Sequence, residues 1–583
     1  MPSNPHREKL MRATMLFVLI VGLIALTATT AFAIKKIPPP SPTAQARAKA
    51  KKFLDQYQAD YARLQQACSL ADWEASCSST DENYVKKAEC ELAFCQYHSN
   101  TEAYRIVCDL LRDKEYYDPL TTRALVVAKL AYEANQLPAD LLKQMVEKSN
   151  EIEKLTNNFR AKIDGQEYTN NQLLELLAKE NDSAKRQQYW EALKQVGAVT
   201  APKIIELAKI RNQAARRLGY SDYWDMQIRL QEYDPQQLLA IFAELETMTK
   251  EPFKQMKGRL DAELAQRFNT TPDKLMPWHY DNPFFQTSPP SDKVDVDEFY
   301  KDKTKEQIVD IAKRFYAGIG LPIDNILKRS DLFERPSKDQ HAFCTNIDHH
   351  GDVRLLCNVK PTAEWMDTML HESGHGVYDY YMNFSLPYNL REPAHIFSTE
   401  GIAMLFGALA KTPEWIVANT GSDPDQVAAM TKAIREQRRR EQLIFARWTL
   451  VMLHFEKALY ENPDQDLNTL WWDHVERYQA LVRPASRSKP DWAAKPHFTC
   501  APVYYHNYML GELFAAQLRH WLSATEQQAG RPMSNDYTDQ SYVGRMLQEK
   551  VFMPGARWPW NEFVRNVTGE ELTAKYFVEE TKE

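Results

Sequence analysis

Glycine is scarce, at 18 of 583 residues, where a globular chain carries about 7%. So few flexible positions favour a mainly helical architecture over a turn-rich β fold. No long basic tract occurs, and acidic residues outnumber basic ones by 79 to 72, for a net charge of −7. That balance argues against nucleic acid as a partner. No Cys-x-x-Cys pair occurs among the eight cysteines, which disfavours a cysteine-bound zinc cluster. No repeat at the periods that mark solenoids is present. With 44% hydrophobic and 26% charged residues, neither a disordered chain nor a polytopic membrane protein fits.

One apolar run stands out. Arg7, Lys9 and Arg12 precede MLFVLIVGLIAL, and the run closes on Ala31-Phe32-Ala33. Residues 1–33 read as a secretory signal cleaved after Ala33. The alternative is an uncleaved membrane anchor, since Ala13 to Ile34 is uncharged. Either way the chain is expected to be exported, to a periplasm or the extracellular space. Cys68, Cys77, Cys90, Cys95 and Cys108 crowd into one stretch, as expected for disulfides in an oxidising compartment. Pro38-Pro39-Pro40-Ser41-Pro42 makes residues 34–44 a stiff linker. Residues 45–583 are then expected to form the helical body, with amphipathic segments such as the one from Lys203 to Gly219. A loop rich in Pro, Asp and Ser runs from Pro277 to Asp295.

Residues 341–359, HAFCTNIDHHGDVRLLCNV, read as a β-hairpin turning at His350-Gly351. A turn centred there places Cys344 opposite Cys357 at a non-hydrogen-bonded position, a separation that suits a disulfide. His349 and His350 at its tip read as a solvated turn, because no further ligand stands at converging spacing.

After Pro361 a helical pattern begins near Thr362, with Trp365, Met366, Met369, Leu370, Val377 and Tyr378 spaced by threes and fours. Within it stands His371-Glu372-Ser373-Gly374-His375. Residues four apart on a helix differ by about 40° after a full turn, so both imidazoles leave one face and can bind one zinc ion. Glu372 is offset from His371 by about 100°, beside the metal but not on it, where a general base belongs. With 14 histidines in the chain and glutamate near 7%, chance supplies about 0.02 such patterns. A catalytic zinc needs a third protein ligand. Glu400, in a helix restarting after Pro393, is a candidate among a dozen carboxylates.

The spacing resembles that of the angiotensin-converting-enzyme family of gluzincin zinc peptidases. That family carries a glutamate about 24 residues beyond the second histidine, and here the interval from His375 to Glu400 is 25. His341-Ala342 resembles the family's His-Ala pair on the strand edge lining the substrate cleft. Asp491-Trp492-Ala493-Ala494-Lys495-Pro496-His497, Trp471-Trp472, Tyr478-Gln479 and Gln286-Thr287 resemble further family patches. These motifs span roughly residues 280 to 510.

The resemblance implies two helical halves enclosing a deep channel, with a short hairpin edge beside the zinc. It implies zinc held by His371, His375 and Glu400, with Glu372 as base and His497 and a tyrosine donating to the oxyanion. Gln286, Lys495 and Tyr504 would hold the peptide carboxylate, and C-terminal dipeptides would be released from peptide substrates. Tyr508 is taken as the oxyanion tyrosine, although an ungapped count sets Asn507 at the family position. Met404 stands where the family has an aspartate supporting a zinc histidine, and Val475 where it has a chloride-binding arginine. An oligoendopeptidase of the thimet type on the same fold is the nearest alternative, and a secreted binding protein with a decayed zinc site is another.

Overall fold

The computed structural model describes residues 42–289, 295–339, 341–485, 487–530 and 534–582. The expected export signal lies outside these residues, as does most of the expected linker. Helix α1 (Pro42–Cys77) starts inside the linker's last residues. It packs on α2 (Asp81–His98), with Lys87 and Asp72 paired across them at 2.5 Å. The chain continues as a succession of helices, the longest among them α3 (Ser183–Arg217), α4 (Pro235–Arg267) and α7 (Pro424–Glu461). Two small antiparallel hairpins interrupt them: β1 (Ala161–Ile163) with β2 (Gln166–Tyr168), and β3 (Phe343–Asn346) with β4 (Val353–Leu356). The expected mainly α class is what is observed. No described helix is long and apolar enough to cross a membrane.

The elements around the histidine motif are α5 (Ala363–Tyr380), α6 (Ile396–Gly407), α8 (His506–Gln528) and, near the C-terminus, α9 (Lys575–Glu580). Helix α5 begins where expected, because Thr362 Oγ1 accepts from the backbone N–H of Trp365 and caps the first turn. Its Met366, Met369, Leu370, Val377 and Tyr378 are buried, each large apolar side chain contributing about 1.5–3 kcal/mol through burial. His395 caps α6, its backbone N–H donating to Ser398 Oγ at 3.1 Å.

Most buried apolar residues from Ile152 to Val578 form one continuous core. A smaller core joins α1 and the helices up to Tyr132 to Leu386, Leu390 and Ala556. The segment between α5 and α6 is thus gripped from the N-terminal side. Gln58 Oε1 accepts from the Tyr388 N–H at 3.1 Å, the Tyr388 hydroxyl donates to Gln65, and Asn389 donates to the Ala124 carbonyl.

The β3–β4 hairpin forms where expected but in another register: Cys344 faces Leu355, and Phe343 faces Leu356. Cys357 lies past the strand end, its N–H on the Asp331 carbonyl at 2.8 Å. The turn is centred one residue earlier because His349 adopts φ +49° and Gly351 φ +110°, while Asp348 Oδ1 accepts from the N–H groups of both His350 and Asp352. Cys344 and Cys357 are therefore not a facing pair, and all eight cysteines carry free thiols. His349 is not solvated either. It is buried, with Nδ1 2.8 Å from the Arg391 carbonyl and 3.4 Å from Glu392.

Glycines let the three site helices touch. A Cβ on Gly374 would lie 2.9 Å from Ala403 Cα, and one on Gly401 would lie 2.7 Å from the Phe514 ring. Ala is the better helix former by about 1 kcal/mol, yet overpacking here costs about 1–3 kcal/mol. Gly374→Ala should therefore lower the thermal midpoint and loosen metal binding. A midpoint at or above the parent's would show that the α5–α6 approach is not tight.

Candidate metal centre and the pocket beside it

His371 and His375 project from one face of α5, their ring centroids 5.0 Å apart. Glu400 reaches them from the first turns of α6: its Oε2 is 3.7 Å from His371 Nε2 and 3.8 Å from His375 Nε2. One donor atom from each of the three lies within 4.8 Å of the others. Donors about 2.1 Å from a single tetrahedral ion stand about 3.4 Å apart, so two imidazoles and a carboxylate arranged this way fit zinc with one position left over. Among the described residues this is the one group of three or more His, Cys, Asp or Glu side chains that converges in this way.

The electrostatics suit a cation. Burial lowers the proton affinity of both histidines, so each is the neutral imidazole that binds metal. Burial raises Glu400 to about 7, against a hydrogen bond from Tyr504. Burial also raises Glu372 to about 8, with Glu400 adding to the shift and the Cys344 backbone N–H on β3 opposing it. Two carboxylates pushed upward side by side mark a site lacking positive charge. Met404 offers no carboxylate to support a histidine, and the hydroxyl of Thr399 is 2.6 Å from His375 Nδ1. Asp367, one turn before His371, raises that histidine's proton affinity and is itself held by Lys411 at 2.7 Å.

A second cluster forms around Lys495, which is buried and donates to Gln286 Oε1 at 2.7 Å. Its ammonium lies 5.3 Å from the Trp448 ring centroid, 5.4 Å from Tyr505 and 5.6 Å from Phe284, a cage in which a cation is held by ring faces. Burial lowers Lys495 to about 8. The scattered sequence patches build this pocket. Gln479 Nε2 donates to the carbonyls of Phe284 and Phe285, fixing the loop that carries Gln286. Trp472 Nε1 donates to Asp491, which Arg487 also grips with two N–H groups.

Tyr505 was missed by sequence reasoning. Trp448 Nε1 donates to its hydroxyl oxygen at 2.7 Å, and its ring forms one wall of the Lys495 cage. The neighbouring Tyr504 turns instead to Glu400. Just before Tyr504, Val503 is held at φ +54°, an uncommon conformation for a β-branched residue. The buried Glu456 accepts its N–H at 2.8 Å and Gln231 donates to its carbonyl at 2.9 Å. The available signal was the spacing of Tyr505 and Tyr508, three apart at a helix start.

Tyr508 lies near Glu400, whose charge raises it further after burial. Asn507 points away, bonded to Tyr233 and Gln231. His497 packs its ring 5.0 Å from Tyr505, and burial together with Lys495 lowers it to about 4. His341 is not drawn into either cluster: its side chain is 96% exposed beside Asp339. Ala342 is half-buried against the main core.

A sequence profile of the family described as Angiotensin-converting enzyme matches residues 44–579. The chain is similar to the Angiotensin-converting enzyme-like protein Ace3 of Mus musculus, 22% identical over 441 residues, covering 70% of this chain and 58% of that protein. It is similar to the angiotensin-converting enzymes of Theromyzon tessulatum (22% over 440 residues, 69% of each) and Sus scrofa (21% over 416 residues, 64% of this chain and 30% of that one). This chain thus spans just over half the length of the mouse relative.

Removing a ligand and removing its support should differ in degree. Glu400→Ala should lose bound zinc on dialysis at neutral pH, whereas Thr399→Val should weaken zinc by about 10–100-fold, as loss of a supporting hydrogen bond does. Competition with a chromogenic chelator measures both. One equivalent of zinc retained by Glu400→Ala would reject it as the third ligand.

Proposed function

The chain belongs to the angiotensin-converting enzyme family, and on that premise we propose that it is an exported zinc-dependent peptidase that releases dipeptides from the C-termini of peptides. The observation that carries this reading is the pairing of two clusters: a His371–His375–Glu400 set flanked by Glu372, and a caged Lys495 with polar neighbours. The first suits peptide-bond hydrolysis and the second a peptide's terminal carboxylate.

When bound to His371, His375 and Glu400, zinc supplies Lewis acidity that polarises a carbonyl and acidifies water. Glu372 takes the proton from the attacking water. Its buried carboxylate, already raised toward neutrality, is matched to that task near pH 7. Tyr508 donates to the oxyanion that develops on the scissile carbonyl, together with His497. Lys495, the Gln286 amide and the Tyr505 hydroxyl receive the substrate carboxylate through charge-assisted hydrogen bonds. This reading moves the carboxylate-binding tyrosine from Tyr504 to Tyr505.

Glu372→Gln should keep zinc and fold yet lose peptide hydrolysis by at least about a hundredfold. Near-parental turnover would sink the mechanism. Tight zinc in the parent without any turnover would favour a binding protein instead.

The carboxylate pocket gives a separate test. A free-acid peptide should be cleaved better than its C-terminal amide, and Lys495→Ala should shrink that preference by about 10–100-fold, since a charged hydrogen bond is worth about 1.5–3 kcal/mol. The sign with pH follows from the lowered lysine. Lys495 is charged below about 8 and neutral above it, so the acid-to-amide ratio of kcat/KM should fall as pH rises through that value. Taking the ratio cancels titrations common to both substrates. A ratio of one at all pH values, with cuts at internal bonds, would favour the oligoendopeptidase.

A further inference from the structure

Away from both clusters lies a cavity of about 1340 Å³. It is walled by the end of α6 and the residues after it, the N-terminal half of α7, the C-terminal half of α8, and α9. None of the zinc ligands, Glu372 or the Lys495 pocket residues lines it. Its charge is opposite to the chain's: eight lysines and arginines face it against four glutamates, in a chain of net charge −7.

The glutamates are largely committed. Glu414 pairs with Arg435, Glu580 takes two N–H groups of Arg519, and Glu436 pairs with Arg440 at 2.9 Å. Some of the cations are not. Arg438 is half-buried and makes no hydrogen bond or ion pair among the described residues. Glu512 and Glu580 balance it only at longer range, and Arg519 opposes it. Lys432, six residues earlier on α7 and exposed at the rim, likewise has no such partner there. A guanidinium withdrawn from water without a partner is costly, and a bound anion relieves that cost.

The shape and the donors select the anion. Guanidinium groups match tetrahedral oxyanions with paired N–H bonds. The volume exceeds the roughly 300–1,000 Å³ of common small-molecule sites, far more than one phosphate needs. We propose that this cavity binds a small molecule carrying two or more linked phosphoryl groups, with Arg438 as its central contact and Lys432 at the entrance.

The zinc-loaded full chain would be titrated calorimetrically with inorganic triphosphate, with sulfate as the single-anion control, at low and high NaCl. Saturable one-site binding to triphosphate is expected, at least about tenfold tighter than sulfate and weaker at high salt, where ion pairs are screened. Arg438→Gln should weaken it by at least about tenfold. Lys432→Gln, exposed and safe for folding, should weaken it a few-fold, and both variants should hydrolyse peptide like the parent. Binding unchanged in both variants would place triphosphate on zinc or on the general surface and overturn the proposal. So would the absence of saturable binding, or displacement of triphosphate by substrate peptide.

Discussion

Two carboxylates and two imidazoles share a buried space in which, among the described residues, no lysine or arginine pairs with any of them. Glu372 and Glu400 each raise their proton affinity, and the histidines lower theirs. Such a set is unfavourable by itself and favourable around a divalent cation. The close contact of α5, α6 and α8 through glycines, the threonine behind His375 and the cap on α6 all hold these four side chains together.

Much of this was legible in the sequence because it is local. The start of α5 at Thr362, its buried stripe and the placement of two histidines on one face follow from spacing along a single helix. What was not legible depended on partners far away in the chain. His349 looked like a solvated tip, and it is buried because Arg391 and Glu392 come to meet it. The hairpin register hung on which turn residues take positive φ, and a shift of one residue in the turn centre moved Cys344 from Cys357 to Leu355. Tyr504 and Tyr505 could not be told apart by counting, since what separates them is that one meets Glu400 and the other Trp448, residues far away in the chain.

The pocket around Lys495 shows the opposite case, in which separate sequence patches acquire a shared meaning. Gln479 fixes the loop carrying Gln286, while Trp472 and Arg487 hold Asp491 four residues before Lys495, and Gln286 and Lys495 meet at 2.7 Å. A buried lysine caged by three rings is held by packing as much as by charge. Its replacement by arginine would keep the charge and lose the fit.

The grip of α1 on the segment Leu386–Leu390 reaches further than stability. That segment joins the helix carrying His371 and His375 to the helix carrying Glu400, and Gln58, Gln65 and Ala124, from far earlier in the chain, all bond to it. A chain growing from its N-terminus therefore makes one side of the clamp before the parts it will hold have been synthesised, and a protease that trims α1 afterwards would strip Leu386 and Leu390 of that side of their core.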